Sequence, residues 1–179
     1  GSQRVAGVVW FTCYQALLST VLTLLFGLPG AWVLARFRFP GRGLIEALSV
    51  VAFVMPTVVV AAAIGAALAD DGPLGAVLPP GSDRGLGAIL TAHVYFNLAV
   101  VLRMVSSYWA QLDPRVEEAA ATLGASPWRT FWSVTLPRLR PVLLAAGSIV
   151  FLFTFTSFGI VLLLGAPGQA TMEVEIQRQ

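Results

Sequence analysis

The sequence predicts an all-α protein that crosses a membrane several times. Hydrophobic residues make up 57% of the 179 residues, charged residues make up only 11%, and the mean hydropathy is +0.81. Soluble domains carry about 25% charged residues. A water-soluble core in so short a chain could not bury this much apolar surface, whereas lipid can accommodate it. The apolar residues form continuous runs without the alternation typical of strands, so we expect helices.

Four apolar stretches are each long enough to form a transmembrane helix, which needs about 20 residues. We place the four spans at about residues 5–33, 44–69, 86–104 and 141–164. Pro29 lies near the end of the first span, and Pro56 lies near the middle of the second. A mid-span proline removes a backbone hydrogen bond and kinks a helix, so Pro56 predicts either a packing kink or a gating hinge.

Arginine residues concentrate in two of the three loops between these spans. The first and third loops hold seven arginines: Arg36, Arg38, Arg42, Arg115, Arg129, Arg138 and Arg140. The second loop holds three aspartates and a single arginine: Asp70, Asp71, Asp83 and Arg84. Because arginine-rich loops stay in the cytoplasm, we expect the first and third loops inside. The N-terminus and the segment after Leu164 should then lie outside.

Charge and cysteine content exclude several kinds of function. The net charge of +2 is too small to suggest a nucleic-acid partner. Cys13 is the single cysteine, so a disulfide or a cysteine-based metal site within the chain is excluded.

The third loop, at about residues 111–140, is long and has a helical pattern. Asp113-Pro114 is typical of a helix cap followed by a first-turn proline, and Gly124 is typical of a helix stop. Ser126-Pro127 repeats the cap and the proline, and Pro137 should end the second helix. We therefore expect two short amphipathic helices hinged at a glycine. A helix pair lying flat at the lipid interface is the alternative.

The same loop carries a family resemblance. Glu118-Ala119-Ala120, Gly124, Val134 and Leu136-Pro137 resemble the EAA loop of binding-protein-dependent ABC importer permeases, with Val134 in place of an isoleucine. This resemblance implies the transmembrane domain of a type I ABC importer, here partial. It also implies that a coupling helix pair meets a cytoplasmic ATPase subunit. The residues implied in this coupling are Glu118, Ala119, Ala120, Gly124, Leu136 and Pro137. At this surface a charge reversal at Glu118 should be more damaging than one at Glu117.

Other segments resemble a narrower group of permeases. Phe39-Pro40-Gly41-Arg42 and the stretch Ala92–Leu98 are similar to segments of the wider family. Thr156–Gly159, Gly168–Thr171 and Glu173–Ile176 look like the thiamine and ferric-iron permeases, whose long chains fuse two permease halves. The implied substrate is thiamine or ferric iron. A typical half has at least five spans, so the chain, with four spans before Gln179, looks like part of a longer reading frame.

The resemblance also implies partners. ATP and Mg would be bound by cytoplasmic ATPase subunits, and the sequence shows no glycine-rich phosphate loop of its own. A second permease half, fused or separate, would complete the path, and an extracytoplasmic binding protein would deliver the substrate. The chain would therefore be a multi-pass transport subunit of a bacterial inner membrane, in contact with lipid, with no catalytic residue, cofactor or metal.

Five residues are candidates for the translocation path: Pro56, His93, Asn97, Thr154 and Ser157. Polar groups inside membrane spans are functional candidates by default. Yet a neutral histidine and asparagine four residues apart more often hydrogen-bond a neighbouring helix, and we favour that interpretation. Thr154 and Ser157 could equally bond their own backbone carbonyls.

Two other functions are possible alternatives. An intramembrane enzyme would need a nucleophile with a base, or a metal set, at membrane depth, and one histidine and one cysteine on different spans supply these poorly. An ion-coupled secondary transporter would favour acidic residues at the midplane. The acidic residues here lie in loops or at helix ends.

Overall fold

The computed structural model describes residues 2–166, and within that range the chain forms helices whose connections are short except for residues 69–85. The Gly168–Thr171 and Glu173–Ile176 segments lie outside the described residues. The helices are α1 (Ser2–Arg36), α2 (Arg42–Val54), α3 (Thr57–Leu68), α4 (Leu86–Ala110), α5 (Arg115–Thr122), α6 (Pro127–Thr130), a π-helical turn (Phe131–Thr135), α7 (Leu136–Phe155) and α8 (Phe158–Leu164).

Three helical segments in the described range are long and apolar enough to cross a membrane. They are Ala6–Arg36, Leu86–Ala110 and Pro127–Phe155. The prediction of an all-α membrane fold is therefore confirmed. The ends of α1 and α4, the start of α2, and helices α5 and α6 lie together, and we call this the arginine-rich end.

The predicted second span, residues 44–69, is two shorter helices. Met55 leaves the helix with φ −65° and ψ 144°, an extended conformation that residues before proline favour. Pro56 has no N–H to continue the hydrogen-bond ladder, and α3 starts at Thr57. Pro56 therefore interrupts the helix more completely than the expected kink.

The predicted fourth span, residues 141–164, differs at both of its ends. The helix does not stop before Pro137: α6 continues through the π-helical turn into α7. Leu136 N–H bonds the carbonyl of Phe131, five residues back, so the turn before Pro137 is wider than in an α-helix. This wider turn accommodates the proline ring, and the prediction that Pro137 ends a helix is wrong. The chain breaks instead at Thr156 and Ser157, before α8.

Glycines allow α1 to approach α4 closely. A Cβ atom on Gly27 would lie 2.5 Å from Cγ1 of Val101, and one on Gly30 would lie 2.7 Å from Cδ2 of Leu102. A larger side chain at either glycine would therefore require the Val101 or Leu102 side chain, or the helix itself, to shift. Small residues have this role at many helix contacts in membranes, where close packing replaces the hydrophobic effect as the source of stability.

The buried side chains form two apolar clusters with a polar layer between them. The arginine-end cluster comprises Ala31, Val101, Val105, Trp109, Leu139, Val142, Ala146 and Val150. The far-end cluster comprises Ala61, Leu68, Ala88, Ile89, Ala92, Ile160, Val161 and Leu164. The polar layer comprises Gln15, Ser19, His93, Asn97, Thr154 and Ser157, all buried. Along α1, α4 and the α7–α8 segment, the polar residues lie between the residues that form or pack against the arginine-end cluster and the residues that form or pack against the far-end cluster.

The arrangement predicts which positions face the cytoplasm. In a Cys13→Ala background, single cysteines replacing Arg38 and Arg129 should be shielded from an impermeant thiol reagent in intact cells, because both lie at the arginine-rich end. A cysteine replacing Asp71, in the 69–85 connection at the other end, should react. Labelling of position 129 from outside would contradict the orientation.

Candidate functional site

Helix α5 has defined signals at both of its ends. The Asp113 carboxylate accepts a hydrogen bond from the Arg115 N–H at 3.0 Å, which caps the first turn. After α5, Gly124 adopts φ +82°, in the left-handed region. Ala125 N–H bonds the Ala120 carbonyl at 3.0 Å, and Gly124 N–H bonds the Ala121 carbonyl at 2.9 Å. This is the Schellman pattern, and the predicted glycine stop is confirmed.

Helix α6 starts as the sequence predicts. The Ser126 hydroxyl accepts a hydrogen bond from the Arg129 N–H at 3.3 Å, and Pro127 occupies the first turn. Three aromatic rings follow in mutual contact, with centroid distances of 5.5–6.3 Å: Trp128, Phe131 and Trp132. Phe131 also contacts Trp109 near the end of α4, at 6.4 Å. The aromatic residues therefore hold the start of the long helix against the arginine-end cluster.

Glu117 ties α5 to the membrane helices. Its carboxylate accepts a hydrogen bond from the Arg36 guanidinium at 2.7 Å and another from the Thr135 hydroxyl at 2.9 Å. Arg36 ends α1, and Thr135 lies in the π-helical turn. The two charged side chains are only 22% and 26% exposed, so water screens the pair less than it screens a surface ion pair. We call these three residues the Glu117 clamp.

The clamp changes what a charge reversal at Glu117 should do. The sequence suggested that Glu117 is the more tolerant of the two neighbouring acidic residues. The structure gives Glu117 two tertiary partners, whereas Glu118 is exposed and makes no side-chain hydrogen bond or ion pair within the described residues. Sequence reasoning missed the clamp because Arg36 and Glu117 are 81 positions apart.

The predicted coupling residues divide between two surfaces. Glu118, Ala119 and Gly124 are exposed on α5 and its C-terminal turn, beside Leu123, whose side chain is 88% exposed. Ala120 is half-buried. Leu136 and Pro137 are also half-buried, at the start of α7. No residue of α5 is buried. The α5 surface is therefore available to a partner, while Leu136 and Pro137 are less accessible.

Four of the five path candidates lie in the polar layer. The ring nitrogens Nδ1 and Nε2 of His93 hydrogen-bond the Ser19 and Ser157 hydroxyls, at 3.0 Å and 2.8 Å. One nitrogen donates and the other accepts, and the two hydroxyls complement them. His93 thus joins α4 to α1 and to the break between α7 and α8, which agrees with the helix-to-helix hydrogen bond expected from the sequence.

The remaining polar-layer candidates bond backbone carbonyls. Asn97 donates to the carbonyl of His93 at 2.9 Å, within its own helix, and not to a neighbouring helix as expected. The Thr154 hydroxyl bonds the Val150 carbonyl at 2.9 Å, as the sequence allowed. Gln15, which sequence reasoning did not single out, donates to the Thr154 carbonyl at 2.9 Å. These side chains pack between helices of the described chain, and only Pro56 among the candidates is exposed.

A family comparison covers most of the chain. Residues 14–179 match the family described as "Binding-protein-dependent transport system inner membrane component". The match includes the four predicted spans apart from the start of the first, and it includes the whole predicted coupling segment, residues 111–140.

Individual relatives are named as sulfate or molybdenum transport system permease proteins. The chain is 34% identical over 157 residues to the sulfate transport system permease protein CysT of Escherichia coli K12, covering 86% of this chain and 56% of that protein. It is 33% identical over 159 residues to a probable sulfate permease protein, cysT, of Marchantia polymorpha, covering 87% and 55%. It is 32% identical over 171 residues to the molybdenum permease protein ModB of Azotobacter vinelandii, covering 92% and 74%. The chain thus spans about half the length of the sulfate relatives.

A solved structure has the same fold. The chain resembles a protein in the structure titled "Inward facing conformations of the MetNI methionine ABC transporter", with a TM-score of 0.67 and 21% identity. The similarity covers 97% of this chain and 78% of the other. The predicted class, an ABC importer transmembrane domain, is confirmed at the level of the fold.

The polar layer predicts a loss of stability on removing His93. His93→Ala would leave the buried Ser19 and Ser157 hydroxyls without this partner, with an expected loss of about 1–3 kcal/mol. Thermal unfolding of the purified transporter in detergent should show a lower midpoint. Thr91→Ala is the control, because the exposed Thr91 hydroxyl bonds only the Gly87 carbonyl of its own helix. Equal midpoints for the two variants would contradict the role of His93.

The clamp predicts that Glu117→Lys loosens α5. The new ammonium would repel Arg36 and lose the Thr135 bond, weakening the docking of α5 by about 1–2 kcal/mol. Backbone amide exchange of residues 115–122 should become roughly tenfold faster. Glu118→Lys is the matched control and should leave exchange close to that of the original chain. The double variant Arg36→Glu with Glu117→Arg should recover part of the protection, and no difference among these variants would refute the clamp.

Proposed function

We propose that this chain, which belongs to the family of binding-protein-dependent transport system inner membrane components, forms part of the membrane-spanning permease of an ATP-driven importer. Its α5 surface would dock on a cytoplasmic ATPase subunit. The observation that supports this most directly is the exposed Glu118–Gly124 surface, held in a defined position at the arginine-rich end. A transport subunit of this kind uses the ATP site of its partner and is not itself an enzyme.

The geometry favours a coupling role for α5 over the alternative of helices lying at the lipid interface. An interfacial amphipathic helix buries its apolar face among lipid headgroups. In α5, by contrast, Glu117 is directed toward Arg36 and Thr135, and the helix is fixed to the ends of two membrane helices. A force applied to α5 would therefore reach α1 and the start of α7.

The continuous helix from Pro127 to Phe155 provides a second mechanical connection. It has 29 residues, so it extends about 43 Å at 1.5 Å per residue. Its first residues belong to the coupling segment, and its last turn carries Thr154 of the polar layer. Movement of α6 by a partner would tilt this helix as a unit and displace the polar layer. The sequence alone predicted that Pro137 ends the second short helix, and so predicted a break in place of this connection.

The partners follow from the proposed role. Two ATPase subunits would bind ATP and Mg, a second permease half would complete the path, and an extracytoplasmic protein would deliver the substrate. Within residues 2–166, no group of three or more His, Cys, Asp or Glu side chains is placed to hold a metal ion. The proposed location is the inner membrane of a bacterium, with the coupling segment in the cytoplasm.

The substrate proposed here is a tetrahedral oxyanion such as sulfate or molybdate. The relatives described above are named for sulfate and molybdenum transport. The narrower resemblance to thiamine and ferric-iron permeases has no support among these relatives, so those substrates are not retained. Part of the narrower resemblance rested on segments after residue 166, beyond the described residues.

The coupling proposal predicts that Gly124→Val uncouples transport while the protein still inserts. No atom lies within 4 Å of a Cβ built on Gly124, so the effect would come from the strain of φ +82° on a β-branched residue. In the complete transporter, ATPase co-purification and substrate uptake should both fall, while membrane abundance stays normal. Glu118→Lys should act similarly through its charge.

The matched control is Gly43→Val, also at the arginine-rich end. A Cβ on Gly43 meets no atom within 4 Å, and Gly43 is not among the glycines with positive φ. Uptake and ATPase association should be retained in this variant. Normal uptake and normal ATPase association in both Gly124→Val and Glu118→Lys would refute the coupling role of α5.

A further inference from the structure

A separate polar cavity lies at the arginine-rich end, between α1, α2 and α4. Its volume is about 330 Å³, and its apolar lining residues include Ala99 and Leu102. Six polar side chains line it: Arg42, Glu46, Ser49, Arg103, Ser106 and Ser107. None of these residues belongs to the coupling segment or to the polar layer, so neither feature accounts for the cavity.

The charges in the cavity leave one guanidinium without a counter-charge. Arg42 pairs with Glu46 four residues later, at 2.9 Å, so their charges largely offset each other. Arg103 forms no ion pair and no side-chain hydrogen bond within residues 2–166. Two arginines and one glutamate give the lining a formal charge of +1, which resides effectively on Arg103.

The position of Arg103 makes this unpaired charge informative. Arg103 lies seven residues before the end of α4 at Ala110, so its Cα is about 10 Å from the helix end. Charged side chains this far inside a membrane helix are unfavourable unless they find a partner or reach water. A long arginine side chain near the end of a membrane helix can carry its charge toward the interface. In the structure Arg103 is exposed and lines the cavity together with Ser49, Ser106 and Ser107.

We propose that this cavity binds a tetrahedral oxyanion through Arg103. A guanidinium presents five N–H donors in a planar fork that matches two oxygens of such an anion. The Ser106 hydroxyl lies 3.5 Å from its acceptor, the Arg103 carbonyl. A hydrogen bond of this length is weak, so the hydroxyl can turn toward a ligand. The cavity is at the lower end of the 300–1,000 Å³ range typical of ligand pockets and admits a small anion with part of its hydration shell.

Two sources can supply this chemistry, and the proposal rests in part on the proposed function. One source is the free inorganic anion, which would occupy the cavity as a weak site near the cytoplasmic exit. The other is the phosphate of an anionic lipid headgroup, since the cavity is at the end of the membrane helices. Glu46 limits the strength of binding: by neutralising Arg42 it keeps the charge of the lining at +1, so a bound anion can be released.

The test measures protection of a cysteine in the cavity, in the complete transporter with Cys13→Ala and Ser107→Cys. The labelling rate by a negatively charged thiol reagent is measured in phosphatidylcholine nanodiscs, with added sodium sulfate or with sodium chloride at matched ionic strength. Sulfate should slow labelling more than chloride. In Arg103→Gln, half-protection should need about tenfold more sulfate, because a charge-assisted hydrogen-bonding group is lost. Arg38→Gln, outside the cavity lining, should behave like the parent.

A second variant and a lipid arm complete the experiment. Glu46→Gln should lower the sulfate concentration needed for half-protection, since a negative charge is removed from the lining. This variant tests the site if Arg103→Gln does not fold. In the lipid arm, part of the phosphatidylcholine is replaced with phosphatidylglycerol and no sulfate is added. If labelling then slows, and Arg103→Gln abolishes the slowing, the ligand is a lipid headgroup. The inference is overturned if neither sulfate nor phosphatidylglycerol slows labelling. It is also overturned if sulfate protects the cysteine in both cavity variants at the same concentration as in the parent. Binding is read without uptake, so a failure of sulfate transport would count against the proposed function and not against the site.

Discussion

Lipid offers no hydrogen-bond partners, and the polar layer around His93 is where this constraint shapes the structure most. His93 joins α4 to Ser19 of α1 and to Ser157 at the break after α7. The break at Pro56 lies close to the break after α7. A Cβ on Gly159, two residues after Ser157, would lie only 2.8 Å from the hydroxyl oxygen of Thr57, the residue after Pro56. Two interrupted spans therefore meet beside one bridge of hydrogen bonds, and an apolar cluster lies on each side of it. A movement of one cluster relative to the other must act on this layer.

The arginine-rich end supplies the means to move one cluster. The Glu117 clamp fixes α5 to α1 and to the π-helical turn, while the aromatic contacts of Phe131 fix that turn to α4. The helix then continues without a break to Phe155, beside the polar layer. A partner that displaces the exposed face of α5 would thus act on the arginine-end cluster through connections that are short and partly shielded from water.

Local signals in the sequence predicted local structure well. Asp113, Gly124 and Ser126 perform the capping and stopping roles that their residue types favour, since those roles depend on only four or five neighbouring residues. The Arg36–Glu117 pair could not be predicted, because its partners are 81 positions apart and meet only once the helices have packed. The π-helical turn before Pro137 was also not predicted, because a proline ordinarily ends a helix and only a wider turn accommodates its ring inside one. The likeness to thiamine and ferric-iron permeases rested on short segments, which carry less information about substrate than the full length of the relatives.

The most direct test of the coupling account is photo-crosslinking from position 118 in the complete transporter. A photoreactive amino acid replacing Glu118 should form a crosslink to the ATPase subunit, because this side chain is exposed and takes no part in the Glu117 clamp. The same amino acid at Asp71, in the connection at the opposite end, should form no such product. The yield at position 118 should also change when ATP is added, if ATP-driven movement passes through α5. Crosslinks from position 118 to lipid alone, with or without ATP, would contradict the account.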